Sequence, residues 1–250
     1  MSSQIATFAI AATASAAAVD FKACGAKRVQ IPDFLQIDDA RRLTAALNRL
    51  ARWNVVTTSR GRHLDLDAKG VASFAEADRR KFDVAVQAPA TRGFQYLFEN
   101  YPIYDAYHAG TIPDPEIAAF FEFLNSERML NFVRTVTAVP EIGFADAQAT
   151  RFRAGHFLTT HSDGVEGKGR VAAYVLNLTE DWRADWGGIL NFTNARGDVE
   201  RGLTPSFNAL NMFAVPQDHH VSYVAPYAGA ARLSITGWFR IGTDPMRAPR

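Results

Sequence analysis

The chain has 250 residues, 48% of them hydrophobic, 12% aromatic and 21% charged, a composition that excludes disorder, collagen and coiled coil and allows a sizeable core. Its 27 basic and 26 acidic side chains leave a formal charge of +1 with no extended Lys/Arg run, so neither nucleic acid nor a membrane surface is an expected partner. The single cysteine, Cys24, excludes an internal disulfide and a thiolate metal site; this fits a reducing, cytoplasmic compartment and leaves His, Asp and Glu as metal ligands.

At about 150 residues per domain the length favours one large domain. Residues 5–19 are uncharged and end in small residues like the apolar part of a secretory signal, but no Lys or Arg precedes them. They also fall short of the roughly 20 apolar residues that span a bilayer. The first clear element is a strand over 28–31, closed by Pro32. Asp38 and Asp39 then offer N-caps for an amphipathic helix carrying Leu43, Leu47 and Leu50 to about Arg52. Two strands are expected over 53–58 and 63–67, and a helix over 72–86. Six of the fourteen residues from 94 to 107 are aromatic, which reads either as a β-hairpin on the core or as an aromatic-lined substrate entrance. Pro113-Asp114-Pro115 opens a further helix with Ile117, Phe120, Phe121 and Leu124 on its core face, and Ser126 caps its successor. After Pro140 the pattern becomes short alternating segments broken by Gly, Asn, Asp and Pro, a β-rich half sized for a sandwich or jelly roll of roughly eight strands.

There are six histidines. Side chains two apart on a strand leave the same face and can converge on one ion, and His63-Leu-Asp65 and His161-Ser-Asp163 both meet that condition. The second has better company, because His219-His220 and an Arg232-Leu-Ser234-Ile-Thr236-Gly-Trp238 strand follow it in the β-half. Two imidazoles and one carboxylate cover one face of an octahedral ion and leave three positions open, as in non-haem Fe(II) oxygenases. If the Arg232 face of its strand points inward, the guanidinium needs an anion, and its fork matches a carboxylate. If that face points outward, Arg232 is merely solvated.

Read together, Phe152-Arg-Ala-Gly155-His156-Phe157-Leu158-Thr-Thr-His161-Ser-Asp163, Arg170 to Trp182, Trp186-Gly187-Gly188, His219-x-Val221 and Arg232-x-Ser234-x-x-Gly237-Trp238 resemble the 2-oxoglutarate/Fe(II) dioxygenases of the prolyl hydroxylase type. The resemblance spans residues 150–240 in order. It implies a mainly β, α+β fold: a double-stranded β-helix (jelly roll, cupin-like) with N-terminal helices packed on one sheet. Residues 1–27 would be an N-terminal segment and 28–250 a single dioxygenase domain, with 28–140 as helical and hairpin support and 141–242 as the catalytic jelly roll. It further implies that His161, Asp163 and His219 bind Fe(II) and that Arg232, helped by Ser234, binds the distal carboxylate of 2-oxoglutarate, with ascorbate as a reductant. His219 is preferred to His220 because Val221 follows it at the family's spacing. Two departures stand out. Phe152 replaces a tyrosine that would hydrogen-bond the cosubstrate, and Asn177 stands at another tyrosine position, where its amide could donate instead. His156 has the opposite parity to His161 and reads as a surface or supporting residue; Trp182 and Trp186 read as packing anchors.

The activity implied is hydroxylation of an unactivated C–H bond, most naturally of a prolyl residue in a peptide or protein, with release of succinate and CO2. A free amino acid or small metabolite is the lesser alternative. The aromatics of 94–107 and the loop 164–169 are the expected substrate walls. Two readings of other classes stay open: a zinc hydrolase using the same three ligands and a bound water, and a non-catalytic jelly-roll binding module. The sequence does not specify an oligomeric state.

Overall fold

A computed structural model describes residues 7–11 and 18–246; the remainder of the 5–19 apolar segment lies outside the described residues. Helices dominate the first half. A short helix α1 (Ala18–Ala23) leads into strand β1 (Arg28–Ile31) and helix α2 (Ile37–Asn48), which buries Ala40, Leu43, Ala46 and Leu47. Asp38 and Asp39 lie in the first turn of α2 rather than at its cap, which is Gln36; Asp39 instead accepts from the Ala9 amide and from Arg42. Strands β2 (Asn54–Ser59) and β3 (Arg62–Asp67) pair across the Arg60-Gly61 turn. The single helix expected over 72–86 is two, α3 (Ala68–Ala72) and α4 (Glu76–Ala90). Asp67 caps α3 early by accepting from the Gly70 amide, and the chain breaks at 73–75.

The aromatic stretch is not a hairpin. It supplies one strand, β4 (Tyr96–Tyr101), and then Pro102 opens a short helix, α5 (Ile103–His108). Helices α6 (Pro115–Leu124) and α7 (Glu127–Thr137) follow with the expected caps: Asp114 accepts from the Glu116 amide and Ser126 from that of Met129.

The second half is β: β5 (Ile142–Ala145), β6 (Gln148–Phe152), β7 (Phe157–His161), β8 (Arg170–Asn177), β9 (Leu190–Thr193), β10 (Val199–Leu203), β11 (Ala209–Ala214), β12 (His219–Val221) and β13 (Arg232–Ile241). All strand pairs in the sheet are antiparallel. One limb runs β1-β11-β8-β13-β6-β4, with β2 and β3 beyond β4 and β5 on β13; the other runs β7-β12-β9-β10. The limbs join where Tyr96 and Leu97 of β4 pair with Leu158 and Phe157 of β7. The ladder thus folds over on itself as the expected double-stranded β-helix. Its larger limb is backed by the helices: one continuous hydrophobic cluster contains Leu43 and Leu47 of α2, Phe120 and Phe121 of α6, Val133 of α7, Leu176 of β8 and Ile235 of β13. Among the described residues no helix is long and apolar enough to cross a membrane. The space between the two limbs holds the site.

Candidate active site

Three ligand-type side chains from two adjacent strands meet there. His219 of β12 pairs directly opposite His161 of β7, which brings the two imidazoles to 4.2 Å between centroids. Asp163 lies two residues beyond His161, past the end of the strand. It reaches the same point not by strand alternation but because its backbone turns left-handed (φ 59°). Its Oδ1 is 3.4 Å from His161 Nε2 and its Oδ2 is 3.5 Å from His219 Nε2. One ligand atom from each residue falls within 4.8 Å of the others. The remaining ring nitrogens are committed: His161 Nδ1 donates to the Thr159 carbonyl at 3.0 Å and His219 Nδ1 to that of Gln217 at 2.8 Å. Backbone carbonyls therefore fix both tautomers and leave both Nε2 lone pairs facing the carboxylate, as metal-binding histidines require.

The electrostatics agree. Burial, reinforced by the neighbouring His161, depresses the His219 imidazole to about 4, so it is a neutral donor at pH 7. Burial pushes the Asp163 carboxyl up, but the adjoining His161 and His219 imidazoles outweigh that and hold it below its ordinary value. The donor set fits a divalent ion of Fe(II) type with open coordination positions. His220, by contrast, faces the other way, toward the Asn191 amide at 3.1 Å.

Arg232, at the start of β13, faces inward, 2% exposed, with its guanidinium 5.3 Å over the Phe152 ring. Burial lowers its pKa to about 10, so it remains a cation at neutral pH. Its Nε has no hydrogen-bond partner, and among the described residues no carboxylate forms an ion pair with it. A buried, unpaired guanidinium at the wall of a cavity is a receptor for an anion. The Gly187-Gly188 turn helps to make room for it. A Cβ at Gly188 would come within 3.3 Å of Arg232 Cδ, and one at Gly187 within 2.0 Å of the Tyr223 carbonyl.

Residues 147–240, which contain all four of these side chains, match the sequence profile of the 2OG-Fe(II) oxygenase superfamily. That segment is similar to 2OG-Fe(II) oxygenases. The chain is 30% identical over 145 residues to the mouse (Mus musculus) prolyl 3-hydroxylase OGFOD1, an alignment covering 54% of this chain and 25% of that protein. The chain thus spans about a quarter of the length of this curated relative. Two solved structures share the fold. A Pseudomonas putida prolyl-4-hydroxylase is 18% identical with a TM-score of 0.58, covering 91% of this chain and 98% of that one. A Trichoplax adhaerens prolyl hydroxylase, solved in complex with a peptide fragment of the hypoxia inducible factor oxygen degradation domain, is 17% identical with a TM-score of 0.56, covering 91% and 89%.

The cavity between the two limbs has a volume of about 280 Å³ and is lined by His161, Asp163, His219 and Arg232 together with alternate residues of β4 and β6. Phe94, Tyr96 and Phe98 form one wall, so the first half of the aromatic stretch lines the cavity while Tyr104 and Tyr107 pack on the helical core. Phe152, where the family often has tyrosine, stacks on Phe98 at 5.0 Å and beneath Arg232. It offers the cation a π-face in place of a hydroxyl. Thr150, two residues earlier, lines the cavity and is held at 2.9 Å by the Ser234 hydroxyl; Ser234 itself does not reach the wall. Neither does Asn177, whose amide donates to the Ala209 carbonyl.

The loop 164–169 supplies no lining residue, but Arg170 just after it does; its guanidinium is 3.5 Å from the Trp238 ring centroid and donates to the Asp163 carbonyl. His63 is not part of a separate metal site. It stands at the same cavity, between the Tyr96 hydroxyl at 2.6 Å and Asp65 at 3.2 Å. Trp182 and Trp186 do anchor a turn, packed edge to face, with Trp182 Nε1 donating to the Gly187 carbonyl. His156, read as a surface or supporting residue, is buried, which leaves the supporting one; it follows a tight turn in which its amide donates to the Arg153 carbonyl. Thr150 and Arg170 escaped the sequence reading, although the period-2 alternation of β6 could have nominated the first.

Proposed function

We propose that this chain is an Fe(II)- and 2-oxoglutarate-dependent dioxygenase that hydroxylates a prolyl residue of a peptide or protein. The observation that carries the reading is the pairing of a three-ligand centre with an unpaired buried guanidinium on the same small cavity. A zinc hydrolase would use the ligands and leave Arg232 without an anion. The prolyl substrate is supported by the mouse relative and by the peptide held by the Trichoplax enzyme.

In this mechanism His161, Asp163 and His219 hold the iron and leave one side of it open. Iron and 2-oxoglutarate, when bound with dioxygen, supply an oxidant strong enough to hydroxylate a C–H bond, with succinate and CO2 as co-products. Arg232 holds the distal carboxylate and so sets the orientation of the ketoacid, and Thr150, positioned by Ser234, adds a hydroxyl to the same wall. The sheath of Phe152, Leu190, Phe213 and Val221 keeps water from the reacting centre until substrate seats against Phe94, Tyr96 and Phe98. Asp163 would supply a carboxylate ligand to the iron, which favours hydroxylation over halogenation.

Incubation with prolyl-containing peptides, Fe(II), 2-oxoglutarate and ascorbate should give a product one oxygen atom heavier, in step with succinate. His161→Ala and Asp163→Ala should abolish both. Peptides left unmodified while succinate forms only with free proline or another small molecule would refute the prolyl-peptide substrate. Kinetics unchanged in the two variants would refute the site.

A further inference from the structure

The strands that wall the metal cavity have a second face. Along β4 the side chains of Tyr96 and Phe98 enter the metal cavity, while Leu97 and Glu99 enter a separate cleft; along β6 Thr150 and Phe152 take the first side and Arg151 the second. The second cleft has a volume of about 850 Å³, lies between these strands and helices α3 and α4, and shares no lining residue with the metal cavity. Its size is that of a ligand site.

Its walls divide by chemistry. Leu50, Val55, Val71, Phe82 and Leu97 supply an apolar floor. Lys69, Arg79, Arg151 and Arg153 face the same space with a single carboxylate, Glu99, among them. Glu99 is buried and already occupied, accepting from Arg151 Nε and, at 2.9 Å, from Arg153 Nε. Arg79 leans on Asp83 at 3.2 Å, outside the cleft. Among the described residues the terminal Nη atoms of Arg151 and Arg153 have no hydrogen-bond partner, and Arg151 lies 4.3 Å over the ring of Trp53.

Two polar atoms on these walls are orphaned. Trp53 and His156 are each 4% exposed, and neither Trp53 Nε1 nor His156 Nδ1 has a partner. Burial holds His156 down at about 4, so at pH 7 the ring is neutral. The open demand of the cleft itself is its surplus of cations above an apolar floor.

We propose that this cleft is a second ligand site, distinct from the metal cavity, for a free amphipathic carboxylate whose apolar body lies on the Leu50-Val55-Leu97 floor and whose acid group meets Arg153 and Lys69. Charge decides the ligand class: a cation would face Lys69, Arg79, Arg151 and Arg153, and an uncharged apolar molecule would leave their surplus charge without a counter-ion. The assignment is independent of the reaction proposed for the metal cavity.

Isothermal titration of the full chain with decanoate, in excess 2-oxoglutarate and Mn(II) so that the metal cavity is filled, tests it. One saturable equivalent is expected, with decan-1-ol and decylamine at least about tenfold weaker. Arg153→Glu changes a half-exposed side chain and should weaken decanoate by about tenfold or more. Ala72→Trp, which fills the cleft from an exposed position on α3, should abolish binding. Circular dichroism and thermal unfolding report whether both variants fold. Absence of saturable decanoate binding, or equal affinity in the wild type and both folded variants, would overturn the proposal.

Discussion

Arg232 carries the largest unmet electrostatic demand among the described residues, a fully buried cation with no counter-ion. An uncompensated buried charge destabilises the chain that holds it, and the matching anion relieves that penalty. Arg232→Met should therefore leave the ligand-free protein as stable as the wild type or more so, while 2-oxoglutarate loses its stabilising effect. Thermal unfolding with and without the ketoacid reads both. A wild-type-sized shift in the variant would show that the anion sits elsewhere. The sequence made this residue conspicuous by its position two before Ser234, but alternation alone could not say which face of β13 was inside. Fold closure decided that, because β13 lies between β6 and β8 and its Arg232 register faces Phe152. His161 and His219 were legible for a similar reason: the strand ladder that pairs them directly is local enough to be read from two short motifs. Asp163 was the right residue for a reason the sequence did not supply, a left-handed turn after the strand rather than a shared strand face.

At the level of elements, the turn 184–188 ties three parts of the site together. Gly187 has φ +72° and ψ −147°, a conformation essentially confined to glycine, and an added Cβ would lie 2.0 Å from the Tyr223 carbonyl. Gly187→Ala should cost about 3 kcal/mol or more in urea unfolding, since torsion and clash act together. It should also weaken 2-oxoglutarate, because the adjacent Gly188 packs on the Arg232 stem. A loss below about 1 kcal/mol would mean that the turn relaxes freely. Capped helices were readable because Asp114 and Ser126 announce α6 and α7 by local chemistry. The split of α3 from α4 and the helix after Pro102 were not, because aromatic density in 94–107 has no period of its own and tertiary packing chose strand for one half and helix for the other.

For the molecule as a whole, two buried histidines couple folding to pH. His156 and His219 are each held near 4, against 6.5 for the free side chain. Both are neutral in the folded, metal-free chain and take a proton more readily once unfolded. The unfolded state therefore gains protons as pH falls from about 6.5 to about 4, and stability is lost across that window and flat above it. Each could contribute on the order of 3 kcal/mol between the ends of the window. Urea unfolding at several pH values should show this slope, and His156→Gln should remove about half of it; an unchanged slope in the variant would contradict the burial argument. The architecture itself was legible at this scale, since a helical first half and a strand-rich second half have few ways to share one core. The second cleft was not, because its walls come from helices and strands far apart in the chain.

The central claim is that His161, Asp163 and His219 hold one iron on whose open side Arg232 orients a ketoacid, and anaerobic titration tests it most directly. Adding Fe(II) to the chain with 2-oxoglutarate should develop the visible charge-transfer band of an iron–ketoacid chelate at one equivalent, absent in Asp163→Ala and requiring far more 2-oxoglutarate in Arg232→Met. A wild-type chain that develops no band, or a band that survives unchanged in both variants, would contradict the account.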